Sequence, residues 1–361
     1  KFYPKLNVGI LSPPEKVKNP WVYDAQKHWA EKDFSIKDVL SLRSKLINSR
    51  FKANIFDVRN SNKFLDISKE IAMSYKSVGV EIELKKKVKI ALDLNQIESP
   101  LGPRGELKKV IVTENTKIHN KVEKVFSDTD LKANEAIDYL YKNNFNDDFL
   151  VKLLSIGTLG LKKNRKLVPT RWSITAVDDI IAKNLMKEVK RSEILDDHRI
   201  YHGNYLGNYY VIMMFPNVFS YELFEMYLPK SAWNQTDETA ISTDHEDCFG
   251  RKKYASNTAG GYYASRLGVL EKLKELKKQS SILVLRFETP EYWASLGVWV
   301  VREASRKSLM NNALIFESKE EMLKKVKELV FRMLKFDITN ILNNSVLLKK
   351  LKEQKMLVSY F

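Results

Sequence analysis

Apolar residues recur along this chain in two rhythms. Behind Ser35, with Asp38 three residues on, Ile36, Val39, Leu40 and the run from Leu42 to Leu46 keep helical spacing, the signature of a capped amphipathic helix. Similar patterns predict helices over about 62–75, 118–126 and 131–143, with a short one ending near 155. Thr175 and Asp178 form a second capping pair, which predicts a helix to about Lys190, and another runs from Gly260 to about Lys278. Alternation over Val80–Leu84, Val88–Leu92 and Val110–Val112 predicts strands, the first two joined by a Lys85-Lys86-Lys87 turn. Aromatic and β-branched density predicts strands at 209–215 and 218–227 around Pro216-Asn217, and Ile282–Leu285 and Gly297–Val301 read as buried strands. The opening, with Tyr3-Pro4-Lys5, Ser12-Pro13-Pro14 and Asn19-Pro20-Trp21, is too proline-rich for helix and reads as extended, while Ser99–Gly105 is a rigid turn. The predicted fold class is α+β: mixed sheets, helices in excess, and no recognised superfold.

At 361 residues the chain is long enough for two domains, and the polar stretch from Ser231 to Ser256 is the loosest candidate boundary. Lys plus Arg outnumber Asp plus Glu by 61 to 45, a net charge of +16. Such an excess favours a polyanionic partner, nucleic acid first, although a Lys-rich proteome would decorate its surfaces in the same way. A single cysteine, Cys248, excludes an internal disulfide and a cysteine-based zinc site within these residues and points to a reducing cytoplasm. No apolar run approaches the length of a membrane span. The chain does not begin with Met, so it is expected to continue upstream.

Candidate chemistry concentrates in three places. Lys162, Lys163, Arg165 and Lys166 form a basic turn before Pro169, and Arg171 stands ahead of the helix that contains Asp178, a spot suited to a phosphate unless the two simply pair. Asp244-His245-Glu246-Asp247-Cys248 invites a metal reading, but contiguous ligands match no spacing with a mechanism, so an acidic loop is expected and no metal site is assigned. Arg251, Lys252 and Lys253 follow as a second basic run. Arg266 and Glu271 lie on the helix after Gly260-Gly261, and Arg286, Glu288, Arg302 and Glu303 end two apolar strands, where charges are costly to bury unless they pair or bind something.

The last residues, Gln354, Leu357, Tyr360 and Phe361, place an aliphatic and two aromatics on one side of a helical or 3₁₀ turn, behind a basic helix from Leu347 to Glu353. The pattern resembles the box by which replication and repair proteins dock on the sliding clamp PCNA; the other reading is that these side chains fold back on the protein's own core.

Val168-Pro169-Thr170-Arg171-Trp172-Ser173-Ile174-Thr175, Gly250-Arg251-Lys252, Gly260-Gly261-Tyr262-Tyr263-Ala264-Ser265-Arg266-Leu267 and Gly297-Val298-Trp299-Val300-Val301-Arg302-Glu303, together with Tyr3-Pro4-Lys5 and Ser12-Pro13-Pro14, resemble the archaeal Nre family of DNA repair proteins along nearly the whole chain. The resemblance implies an N-terminal Nre-like domain over 1–240, a C-terminal one over 241–345, and a basic helix with a clamp-binding tail over 346–361. It also implies a role in repairing DNA damage in partnership with the clamp. Many members carry a cysteine-rich, zinc-finger-like segment upstream of the Tyr-Pro-Lys stretch, so a zinc ion in a preceding segment is one implied cofactor. Two functions stay open. One is a clamp-tethered DNA-binding factor without chemistry of its own. The other is an enzyme on DNA or a nucleotide, with Arg171, Arg266, Arg286 and Arg302 holding phosphates and Asp178, Glu271, Glu288 or Glu303 serving a divalent ion or acting as base.

Overall fold

A computed structural model describes residues 3–60, 62–89, 91–94 and 97–353. The chain falls into two compact units, Lys1–Ile181 and Ala182–Phe361. Among the described residues the fold is α+β, with twelve α-helices and three sheets, of which the larger two mix parallel and antiparallel pairs.

In the first unit the proline-rich opening is a strand, β1 (Lys5–Ser12), turning Leu6, Val8 and Ile10 inward. It is followed by α1 (Gln26–Glu31), α2 (Ile36–Ser44), β2 (Ile47–Asn54), α3 (Lys63–Met73), β3 (Val80–Leu84), β4 (Arg104–Val112), α4 (Asn120–Ser127), α5 (Ala133–Lys142), α6 (Asp147–Ser155) and α7 (Thr170–Val189), the helix in which the units divide. The sheet order is β1-β2-β4-β3. Phe51 and Ala53 of β2 and Leu107 and Val110 of β4 meet Leu65 of α3 to form the core. The Ser35 cap holds as expected: its hydroxyl accepts from the Asp38 amide at 3.3 Å and the Asp38 carboxylate accepts from the Ser35 amide at 2.9 Å. Gly102 lies in the rigid turn where a Cβ would meet the Leu46 carbonyl at 2.3 Å, so the turn packs directly on the end of α2.

Two expectations for this unit are corrected. Val88, Lys89, Ala91 and Leu92 form no strand; β3 pairs instead with β4, Val80 opposite Val112. Helix α7 begins at Thr170, five residues before Thr175. The Pro169 carbonyl accepts from the amides of Trp172 and Ser173 at 2.8 and 3.0 Å, and proline is pre-organised for a helix start. The Thr175 hydroxyl, meanwhile, turns back to the Trp172 carbonyl.

The second unit contains β5 (Glu193–Ile194), β6 (His198–Tyr205), β7 (Asn208–Phe215), β8 (Ser220–Tyr227), β9 (Ala240–Glu246), α8 (Ala259–Leu276), β10 (Lys278–Gln279), β11 (Ser281–Glu288), α9 (Trp299–Met310), β12 (Leu314–Phe316), α10 (Lys319–Leu334), α11 (Thr339–Asn344) and α12 (Val346–Glu353). Its sheet runs β12-β6-β7-β11-β8-β9. Leu206 and Gly207, both at positive φ, close the β6–β7 hairpin in the geometry that matches strand twist. Period-two alternation sorts the two faces. Val211, Met213, Phe215, Phe224, Met226, Leu283, Leu285 and Phe287 pack against α10, α11 and α12. The opposite face, with Tyr221, Glu225 and Arg286, receives α8 and α9.

Gly297–Val301 is not a strand. Val298 caps α9, in which nine residues including Trp299, Val300, Val301, Arg302 and Glu303 are buried. A β-branched run resembles a strand, but a helix enclosed on most sides is apolar most of the way round and loses the amphipathic signature. The polar stretch after Ser231 likewise holds a strand, β9, rather than a loop alone.

Glu222, fully buried on β8, caps α12. Its carboxylate accepts from the Ser345 hydroxyl at 2.5 Å and from the amides of Val346 and Leu347 at 3.0 and 2.9 Å. A carboxylate at a helix N-terminus is favoured by the free amides and the dipole. Glu222→Ala would leave these donors without an acceptor and should cost about 3 kcal/mol, read as a fall in Tm together with faster hydrogen exchange at Val346 and Leu347. Unchanged exchange at those amides would show that the cap does not hold the helix.

Candidate functional site

The charged side chains of the second unit are organised around Arg286, 1% exposed near the C-terminal end of β11. Parallel pairing sets it beside Glu225 on β8, and antiparallel pairing places β7 on its other side. The guanidinium donates to Glu225 Oε1 at 2.6 Å, twice to Asn208 Oδ1 at 3.0 and 2.6 Å, and to Glu288 Oε2 at 3.1 Å. The second oxygens of both carboxylates are also taken: Glu225 Oε2 accepts from the Tyr227 hydroxyl at 2.7 Å and Glu288 Oε1 from the Trp233 amide at 2.9 Å. The stacked rings of Tyr227 and Trp233, 5.5 Å apart, both lie under the guanidinium.

Electrostatics follow from this enclosure. Burial pushes Glu288 above the usual carboxylate range, with Arg286 pulling the other way. Burial lowers Arg286, but Glu225, Tyr210, Tyr227 and Glu288 together outweigh that and hold it well above its ordinary value. Burial, reinforced by Glu225, raises the Tyr227 hydroxyl. Helix α8 comes so close that a Cβ on Gly261 would stand 2.2 Å from Glu225 Oε1. Gly261 therefore lets a helix pack on a buried carboxylate.

Three further arginines of this unit are paired with carboxylates. Arg266, fully buried on α8, donates to both Glu246 oxygens at 3.0 and 2.9 Å and lies over the rings of Tyr262 and Tyr263. Arg306 on α9 bridges Glu271 of α8, at 2.8 and 2.7 Å, to Glu303, at 2.6 Å. Asp244 pairs with Arg251 at 2.8 Å and accepts from the amides of Asn257 and Thr258 just before α8. The acidic run thus resolves by strand alternation: Asp244 and Glu246 point inward to arginines while His245 is exposed. Among the described residues no group of three or more His, Cys, Asp or Glu could hold a metal ion.

Of the residues singled out from sequence, the structure joins Arg286 to Glu288 directly, and Glu271 to Glu303 through Arg306. Arg302 is buried on α9. Arg171 and Asp178 fall in the first unit, Arg171 exposed in the first turn of α7 and Asp178 fully buried. At that helix start the chain supplies its own anion, for Glu98 accepts from the Arg171 amide at 3.2 Å. Burial raises Glu98, opposed by Arg171.

The two basic runs divide by residue type. Arg165 donates to the carbonyls of Gly160, Phe126 and Asp128 and lies over the Phe126 ring. Arg251 donates to those of Lys253, His245 and Tyr254. Lys162, Lys163, Lys166, Lys252 and Lys253 are exposed. Gln354, Leu357, Tyr360 and Phe361 lie outside the described residues.

Sequence reasoning missed Glu225 and Arg306, and read Glu246 as part of an acidic loop rather than as the partner of Arg266. The available signal was the pair of carboxylates inside the aromatic strand Tyr221-Glu222-Leu223-Phe224-Glu225-Met226-Tyr227, since a charge in such surroundings demands a partner. Arg286→Ala would leave Glu225 and Glu288 buried without their countercharge and should destabilise the protein by about 3–5 kcal/mol. Chemical denaturation checks this, and a fully stable variant would mean that Arg286 is not a structural member of the network.

The chain matches the family described as "Archaeal Nre, N-terminal" over residues 1–234 and "Archaeal Nre, C-terminal" over residues 246–360. It is 37% identical over 309 residues to the DNA repair protein NreA of Haloferax volcanii, covering 84% of this chain and 74% of that one. It is 37% identical over 325 residues to NreA of Archaeoglobus fulgidus, covering 89% and 80%. With the DNA repair protein NreB of the same organism the identity is 34% over 354 residues, 98% of this chain and 87% of that one. No solved structure matches. The two halves of the family thus follow one another along the sequence in their expected order, and the chain belongs to the archaeal Nre family.

Proposed function

We propose that this protein is a DNA repair factor that binds DNA through exposed lysines and is tethered to the sliding clamp PCNA by its C-terminal tail. The observation that carries the repair role is identity of 34% over 98% of the chain to a protein named for DNA repair, with two more relatives at 37%. Support for DNA binding comes from the charge of +16 and from the two lysine runs, which remain at the surface while their arginines are used inside the protein. The cytoplasm, where DNA and clamp are found, is the compartment this reading requires.

The enzymatic alternative, a metal-dependent nuclease or a phosphoryl- or nucleotidyl-transfer enzyme, has less behind it. Glu271, Glu288 and Glu303 already accept from arginines, and carboxylates satisfied in this way are poorly placed to hold an ion or take a proton. Binding should therefore be electrostatic and weakly sequence-specific. The logarithm of affinity should fall against the logarithm of salt with a slope of about −0.9 per phosphate neutralised. Replacing Lys162, Lys163 and Lys166 by Ala should reduce that slope by about 1 per lysine, measured by fluorescence anisotropy. Absence of binding at low salt would remove the DNA-binding role.

Tethering rests on Gln354, Leu357, Tyr360 and Phe361, which follow directly after α12, the helix that Glu222 fixes to the sheet. Deleting residues 354–361 should abolish clamp binding and leave Tm nearly unchanged. Tyr360→Ala and Phe361→Ala should each cost more than about 1 kcal/mol of affinity, and Lys355→Ala little. Calorimetric titration decides it: equal affinities for intact and truncated protein would refute tethering, and a large loss of Tm on truncation would assign the aromatics to the core.

A further inference from the structure

Phe249 is 91% exposed, more than any other large apolar side chain among the described residues. An aromatic at the surface gains little for folding, and here the backbone fixes the ring in the exposed position. The backbone around it is held firmly. Asp247 Oδ1 accepts from the Phe249 amide at 2.9 Å and the Asp247 carbonyl from the Gly250 amide at 3.0 Å. Gly250 takes a φ of +82°, open to glycine at no steric cost. Arg251 then ties the loop together from within, donating to three carbonyls, pairing with Asp244 and lying over the Tyr262 ring.

Exposed lysines follow the ring in sequence, and one further lysine reaches its loop from α12. Lys252 and Lys253 are exposed just beyond it, and Lys350 of α12 reaches Asp247 at 3.8 Å, bringing that basic helix to the same loop. We propose that Phe249 is a stacking residue for an unpaired nucleic-acid base, with Lys252 and Lys253 neutralising the adjoining phosphates and Lys350 offsetting the Asp247 carboxylate of the loop. An apolar protein partner would have no use for the lysines, whereas an aromatic face beside cations is what a single strand requires. In a duplex each base face is covered by its neighbours, so the ring discriminates unpaired from paired DNA. The cavity beside the loop, lined by Asp247, Cys248 and Lys350, holds about 60 Å³. That is far below the roughly 300 Å³ of the smallest ligand pockets, so the base stacks on the outside of the protein.

This inference rests on the DNA-binding reading, and the test separates the two. The intact protein and its Phe249→Ala and Phe249→Trp variants are titrated at low salt with an oligothymidylate of about 16 nucleotides, the upper site size of one single-strand-binding module, and with a duplex of equal length. Phe249→Ala should weaken single-strand binding about tenfold, with duplex affinity and Tm unchanged. Phe249→Trp should keep single-strand affinity, and its added emission should be quenched by the single strand but not by the duplex. If the intact protein binds neither DNA, the DNA-binding reading and this inference fail together. If the intact protein binds and Phe249→Ala binds equally well, or loses equally on both forms, base stacking alone is overturned. Weaker clamp binding by Phe249→Ala with DNA affinity intact would assign the ring to a protein partner and overturn it as well.

Discussion

A guanidinium on a buried strand is the constraint on which the second unit depends. Taking a cation out of water costs several kcal/mol, and the cost is offset only when both its charge and its donors are matched. Arg286 finds Glu225 across a parallel pairing, Glu288 two residues along its own strand, and Asn208 at the start of β7. These partners exist in one alignment only. A slip of β11 by a single residue would turn Arg286 to the face occupied by Met213 and Phe224, away from Glu225 and Asn208 and among apolar side chains. The network therefore does more to fix strand register than to add stability, and Gly261 shows how tightly the covering helix was fitted over it.

Local signals were legible in the sequence and distant ones were not. The Ser35–Asp38 cap, the α3 and α8 helices and the β7, β8 and β11 strands are each written in a few neighbouring residues. Where burial overrides local preference the reading failed, as at Val300 and Val301, which are enclosed in a helix. Strand β6, with the polar sequence from His198 to Tyr205, gave no apolar rhythm, because its place in the sheet is set by the hairpin at Leu206-Gly207. The charges from Arg266 to Glu303 read as costly to bury unless they pair or bind something, but the partners Glu225, Glu246 and Arg306 stand 61, 20 and 35 positions from Arg286, Arg266 and Glu271. No periodicity connects residues so far apart.

The two kinds of basic residue have separate tasks. Arg165, Arg251, Arg266 and Arg286 each spend their planar, multi-donor heads on carbonyls, carboxylates and ring faces inside the protein. The lysines beside them, on flexible stems, stay hydrated. This division follows from chemistry, since a guanidinium satisfies several acceptors at once and an ammonium is a compact, strongly hydrated charge. Counting both types together overstates the charge presented to a partner and understates how much of the excess belongs to the scaffold.

Glu222 also sets an order of events during synthesis. Its partners at residues 345–347 follow it by 123 to 125 positions, and until they emerge its carboxylate has no acceptable place in a closed sheet. Domains fold as units while the chain is being made, so the second unit cannot close on β8 until α12 has been translated. A product cut short before Ser345 would be left with the Glu222 carboxylate on the strand next to the edge of its sheet and no donors to hold it.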